Sequence, residues 1–140
     1  MSLPLWKRIV LALAVVITAL VALSVSAVVY FLFVPSHEDY SHRISLDSAV
    51  WQAPPKEEDP AWPIRLQMAD SLVASKSLDG LSRLEVESLL GKADVTDKWR
   101  NWDLVYWLGP DRGGFRIDSE WLVVKFDAHD RVVTYRIVSD

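Results

Sequence analysis

The chain has 140 residues, no cysteine and a formal charge of −4, with 15 Lys+Arg against 19 Asp+Glu. The missing cysteine excludes a disulfide framework, a thiolate metal site, a cysteine nucleophile and a cysteine-borne lipid anchor. Lys7 and Arg8 precede one long apolar run and all 19 acids follow it, so the rest is acidic with no basic stripe, which argues against nucleic acid as a partner.

Ile9 to Val34 carries no charge. A bilayer core needs about 20 apolar residues, so this run is long enough to span with some tilt. Lys7 and Arg8 lie before it, and His37, Glu38 and Asp39 after it. The positive-inside rule places the N-terminus in the cytoplasm and the remainder outside, as a single-pass signal-anchor in the inner (cytoplasmic) membrane. The rival is a cleaved signal peptide, because Val25-Ser26-Ala27 offers small residues. Val28 to Val34 stays apolar beyond that site, and cleavage would leave a sticky tail, so the uncleaved anchor is preferred. Both readings put the domain in the periplasm or its equivalent. Residues 1–34 are then cytoplasmic tip and anchor.

Residues 35–61 read as a linker. Pro35, Pro54, Pro55 and Pro60 accompany the charged run Lys56-Glu57-Glu58-Asp59. Proline and like charge favour an extended spacer, with a reach of roughly 80–90 Å if fully stretched. Trp51 is the large apolar group here and can dock back on the domain. His37 and His42 flank acids, but a flexible strand lacks the geometry and outer partners of a metal site. No metal or other cofactor is expected.

Residues 62–140 form the expected domain. Trp62 to Ser75 suits a helix, with Pro63 in its first turn and a stripe of Ile64, Met68, Leu72, Ala69 and Val73. Lys76 to Gly80 connects it to a second helix and makes a helical hairpin. That second helix has both ends marked. Ser82 and Glu85 stand at capping-box spacing, and Leu81 and Val86 at staple spacing. Val86, Leu89 and Leu90 make one apolar face, and Gly91 supplies the left-handed C′ position. A helix this short is not stable alone in water, so it must pack on something.

After Gly91 the period changes to two. Trp102 to Leu108, Trp121 to Phe126 and Val132 to Val138 alternate as strands. Gly109-Pro110, Gly113-Gly114 and Asp127-Ala128-His129-Asp130 break the chain between them. Short connections imply an antiparallel meander. The fold class is therefore α+β: an N-terminal transmembrane helix, then a two-layer ααβββ domain with a helical hairpin on a three-stranded antiparallel meander.

The expected core face holds Leu104, Tyr106 and Leu108, then Leu122, Val124 and Phe126, then Val133, Tyr135 and Ile137. The opposite face carries Val105, Trp107, Trp121, Val123, Lys125, Thr134 and Arg136. It is apolar for a solvated face, and apolar patches rimmed by charge mark contact surfaces. Trp107, Trp121, Val105, Val123, Lys125 and Arg136 are thus candidate partner-binding residues. Alternatively, Trp51 or the chain between Gly109 and Glu120 covers this face.

A second candidate is the polar loop with Asp111, Arg112, Arg116, Asp118, Ser119 and Glu120. Asp118 and Glu120 are two apart and share a strand face, the placement an acid–base pair would use. Nothing nearby supplies a nucleophile or metal partner, and His129 sits in a turn without a relay. A structural role is expected instead: Asp118 or Ser119 capping a turn, Arg112 or Arg116 pairing with an acid. Gly113-Gly114 has no strand-to-helix context and is not a phosphate loop.

The stretch Gly80-Leu81-Ser82-x-x-Glu85-Val86-x-x-Leu89-Leu90-Gly91-Lys92-Ala93-Asp94 resembles the G-M-S-x-x-x-V-x-x-L-L-G-x-P-D helix of the BamE/SmpA/OmlA domain. Val105-Tyr106-Trp107-Leu108-Gly109, Leu122-Val123-Val124-Lys125-Phe126-Asp127 and Arg131-Val132-Val133 are similar to its strands. The likeness covers about the last half of the chain. It implies an ααβββ domain in the envelope of a Gram-negative-type bacterium. Members of that family are small lipoproteins that assist assembly of outer-membrane β-barrels, and the fold recurs in a β-lactamase inhibitor protein. This chain departs in having no lipid-bearing cysteine, Leu81 for methionine and Ala93 for proline. An inner-membrane anchor would place it across the periplasm from the barrel-assembly machine.

The expected function is a non-catalytic, membrane-tethered binding or scaffold module whose partner is an envelope protein or a second copy. The alternatives are an outer-membrane assembly factor close to the family role, and a small-ligand binder or enzyme built on the 109–120 loop.

Overall fold

A computed structural model describes residues 4–54, 56–112 and 117–140, with residues 31–41 described by their backbone alone. The elements in order are α1 (Leu5–Ser41), α2 (Ser48–Gln52), α3 (Ile64–Ala74), α4 (Arg83–Leu90), β1 (Leu104–Pro110), β2 (Ser119–Phe126) and β3 (Val132–Ser139). They form two compact units, residues 1–37 and 38–140. The chain is α+β: one long apolar helix, a few short helices and an antiparallel sheet ordered β1-β2-β3.

The first unit is the apolar helix. Leu5–Tyr30 contributes 26 residues to it and is long and apolar enough to cross a membrane. Two of its hydroxyl side chains turn back to the helix backbone, Thr18 Oγ1 donating to Ala14 O and Ser24 Oγ to Leu20 O, both at 2.9 Å. That hides their polarity on an otherwise apolar surface. α1 also runs on past Pro35 to Ser41, beyond the expected end at Val34. A proline disfavours helix before it but does not forbid it.

The second unit takes in part of the stretch expected as a spacer. Asp47 caps α2, its carboxylate accepting from Ala49 and Val50 N–H at 3.0 and 3.1 Å. That cap aims Trp51 inward, where it is 0% exposed. Its indole meets the Tyr106 ring edge-on, centroids 6.5 Å apart, and the Arg65 guanidinium lies 5.7 Å over it. Trp51 therefore belongs to the core.

Gln52 Nε2 donates to Ser88 O and Leu89 O at 2.9 and 3.0 Å, and Ser48 Oγ to Leu89 O at 2.5 Å. These carbonyls lie in the last turn of α4, where intrahelical donors run out. So α2 caps α4. At the other end the expected capping box is present: Ser82 N–H donates to Glu85 Oε2 at 2.7 Å, and Glu85 N–H to Ser82 Oγ at 3.3 Å. The bonds from Ser82 hold the Glu85 carboxyl below its ordinary range. Val86 and Leu90 are fully buried while Leu89 is only half-buried, so the inward face sits slightly off the expected one. Gly91 closes the helix at φ 76° and ψ −173°, a mirror-extended conformation rather than the left-handed helical one.

α3 begins after Pro63, with the Glu58 carboxylate accepting from Ile64 N–H at 2.9 Å. It buries Leu66, Met68, Ala69 and Leu72. Leu66, outside the expected stripe, is buried because α3 crosses β1 at a bulge. A Cβ on Gly109 would come within 2.9 Å of Pro63 Cγ and 3.3 Å of Leu66 Cδ2. Only glycine permits that approach.

Leu104, Tyr106, Leu108, Leu122, Val124 and Phe126 face the helices as expected. On β3 the buried residue at the start is Val132, not Val133, which is 58% exposed. The register shifts between Lys125 and Phe126, and a bulge flips the side on which the next residue points. Tyr135 and Ile137 return to the core side.

The β2–β3 turn is sewn to α4. Asp127 accepts from His129 and Arg131 N–H at 2.8 and 2.9 Å, bonds that keep its carboxyl below the ordinary range. Val132 N–H donates to Leu81 O at 2.9 Å, and Ser82 bridges Arg131.

Trp51→Ala should cost about 3–5 kcal/mol, the usual penalty for truncating a buried tryptophan. A urea titration of the full chain reads this directly. A spacer tryptophan outside the core would leave the midpoint unchanged.

Candidate functional site

The apolar centre of the sheet's outer face is covered. Val105, Trp121 and Val123 are buried beneath Trp99 and Trp102, with Val138 beside them. Among the described residues the cover is the segment between α4 and β1, whereas Trp51 lies in the core on the helix side and residues 113–116 of the 109–120 loop lie outside the described residues. Six residues were expected to form an open partner face, and three of them are therefore inaccessible. The physical reason is that two valines and a tryptophan on a three-stranded sheet are cheaper to bury than to hydrate.

The polar members of that set hold the cover down. Lys125 Nζ donates to Asn101 O at 2.8 Å and lies 3.6 Å from Asp103. The Arg136 guanidinium lies 5.2 Å over Trp102. Lys98 sits over the Trp121 ring and pairs with Asp140. Trp99 takes a left-handed φ of 57°, uncommon for a bulky residue, and its indole N–H is buried without a partner, as is that of Trp121.

Trp107 alone of the six remains presented as an apolar contact residue, at 39% exposure. Its position is set from the sheet edge. Trp107 N–H donates to Asp94 Oδ2 at 2.6 Å, and Asp94 N–H donates to Val105 O at 2.8 Å. Asp94 is itself within 3.7 Å of Arg65. Trp107 walls a cleft of about 190 Å³ with Pro54, Pro63, Ile64 and Leu108, and Glu58 and Arg65 supply its polar atoms. An indole, two prolines and an isoleucine make an apolar notch.

The described ends of the 109–120 loop are tied together, and Arg116 lies outside the described residues. Glu120, 5% exposed, accepts from Arg112 Nη2 at 2.7 Å and from Arg112 Nε at 3.0 and 3.1 Å. Arg112 Nη1 reaches across to Asp70 on α3 at 2.6 Å, and Arg43 pairs with Asp70 at 2.8 Å. Two cations thus balance two buried or half-buried carboxylates. Asp118 is exposed, and its carbonyl accepts from Asp111 N–H at 2.8 Å. So Asp118 and Glu120 sit in different surroundings, with Glu120 already held by a guanidinium. An acid–base pair needs both carboxyls at one reacting group.

His42 stacks on Trp62 with centroids 4.3 Å apart. Among the described residues no group of three or more His, Asp or Glu is placed to hold a metal ion. Comparison with protein-family models, with curated proteins and with solved structures gives no match for this chain.

Trp99, Asp70 and Arg43 matter here, and sequence reasoning passed over them; Trp102 was expected as the start of the first strand, but β1 begins at Leu104. Trp99 and Trp102 stand three apart ahead of β1, and that pairing was the available signal. Arg112→Ala should destabilise the fold by about 3–5 kcal/mol, because Glu120 is left buried without its cation. Glu120→Gln in the same chain should recover part of that loss, which urea titrations of the single and double variants will measure.

Proposed function

We propose that this chain is a membrane-anchored, extracytoplasmic binding module of the bacterial cell envelope, which takes an envelope protein partner at the Trp107 cleft. The observation that carries this reading is Trp107 itself. It is a half-open indole, fixed by a hydrogen bond from its own backbone to Asp94, beside an apolar notch. A pre-positioned tryptophan loses little freedom on binding, and tryptophans at such sites dominate interface energetics.

The anchor rests on Leu5–Tyr30 with Lys7 and Arg8 near its start. Its 26 residues extend roughly 39 Å at 1.5 Å per residue, against a hydrocarbon core of about 30 Å. The positive-inside rule then sends the folded unit outward, from the inner membrane. The order α3-α4-β1-β2-β3 supports the resemblance to the BamE/SmpA/OmlA domain as a likeness of fold. Function lives in sites rather than folds, so the family's outer-membrane role is not carried over with it.

Full-length protein crosslinked in native membranes should capture its partner. Trp107→Ala should weaken capture at least about 30-fold, the counterpart of a loss of 2 kcal/mol at a hot spot, while the unfolding midpoint stays close to wild type. Undiminished capture by the folded variant would move the site elsewhere. Alkaline phosphatase fused after Asp140 should be active and a fluorescent protein at the same place dark. The opposite pattern would end the extracytoplasmic reading.

A further inference from the structure

The sheet has two edges, β1 and β3, and among the described residues each is covered only in part. On β1, Asp94 acts as a one-residue strand, its N–H serving Val105 O and its carboxylate serving Trp107 N–H. On β3 the cover stops early, where Leu81 accepts from Val132 and Ser82 bridges Arg131. Beyond that point β3 turns Thr134, Arg136 and Val138 toward Lys125, Val123 and Trp121 of β2. The same ladder continues as Asp140 N–H donates to Ser119 O at 3.3 Å. Alternation then directs the backbone groups of Tyr135, Ile137 and Ser139 away from the sheet. Among the described residues none of these groups has a backbone partner on that side.

This stretch lacks the devices that blunt an edge. It has no proline, no lysine and no glycine, and Val133, Thr134, Tyr135, Ile137 and Val138 all favour strands. Its single charge, Arg136, lies over Trp102.

We propose that this edge pairs antiparallel with the same edge of a second copy, centred on Ile137, joining two three-stranded sheets into one across a two-fold axis. The register follows from what is already occupied. Centring on Tyr135 would bring Ser139 of the second copy onto Arg131, which Ser82 already bridges. Centring on Arg136 would set two guanidiniums directly opposite, which is unfavourable. Centring on Ile137 sets Tyr135 opposite Ser139 and Arg136 opposite Val138. Asp140 of the second copy is then a diagonal neighbour of Arg136, so unlike charges meet on both sides of the axis. A two-fold contact of this kind is self-complementary and closes on itself. It does not depend on the membrane reading or on the Trp107 cleft.

The chain has no cysteine, so one introduced thiol can form only an intermolecular disulfide. At the centre of the axis the Cα atoms of residue 137 would lie about 5.5 Å apart, within the range a disulfide spans. Full-length Ile137→Cys, oxidised in membranes, should run at twice the chain mass, and Leu84→Cys on the exposed side of α4 should remain single. Equal crosslinking of both, or none at position 137 in a folded variant, overturns the proposal. Ser139→Pro guards against misfolding of the first variant. It removes an outward N–H while sparing the ladder to β2. In detergent, sedimentation should give two copies for wild type and one for Ser139→Pro. A single-copy wild type overturns the proposal, as does a β3 edge protected from amide exchange by a different bound protein.

Discussion

A three-stranded sheet that is apolar on both faces must be covered twice. That constraint organises the folded unit. One face carries Leu104, Tyr106, Leu108, Leu122 and Val124, and the other carries Val105, Trp121 and Val123. At about 25 cal/mol per Å² of apolar surface, neither set can be left in water by so small a domain. Helices cover the first face, with Trp51 as the wedge between them and Tyr106. The Trp99–Trp102 segment covers the second. Trp107 stays 39% exposed beside these covers.

The stretch from Ser88 to Asp94 serves both covers at once. Its carbonyls at Ser88 and Leu89 receive Gln52 and Ser48, which fixes α2 and so Trp51. Gly91 then turns the chain, and its carbonyl accepts from Tyr106 OH at 3.0 Å. Burial pushes the Tyr106 hydroxyl well above its ordinary range, so it stays protonated and keeps donating. Three residues on, Asp94 seals the edge of β1 and sets Trp107. A helix end, a core hydrogen bond and an edge contact follow one another within the seven residues Ser88–Asp94.

The charged cluster at Arg112 fastens the β1–β2 hairpin to α3. A buried ion pair contributes little net stability against an apolar substitute, but removing one partner is costly. Its effect here is therefore on geometry. Glu120 and Asp70 hold one guanidinium from two elements, so the hairpin cannot slide along α3 without stranding a carboxylate. Lys125, Arg136 and Lys98 do similar work on the other cover, as exposed contacts that salt will weaken more readily.

The capped helix α4 was legible from residues alone, because capping boxes and helix-ending glycines act over a few residues. The three strands and their antiparallel order were legible too, since period-two alternation and short turns leave few alternatives. The faces of β1 and β2 followed from the same alternation. Val132 in place of Val133 did not, because a bulge is decided by how two strands meet. Trp51 lies 55 positions from Tyr106 in the sequence and Arg112 lies 42 from Asp70, and no local pattern joins them. Which cover falls on which face was likewise settled only in three dimensions. Trp51, the 109–120 loop and the Trp99–Trp102 segment are all apolar or long enough to reach. Hydrogen bonds between near neighbours are written in the order of residues, whereas the burial of a face depends on which distant segment arrives with the shape to fill it.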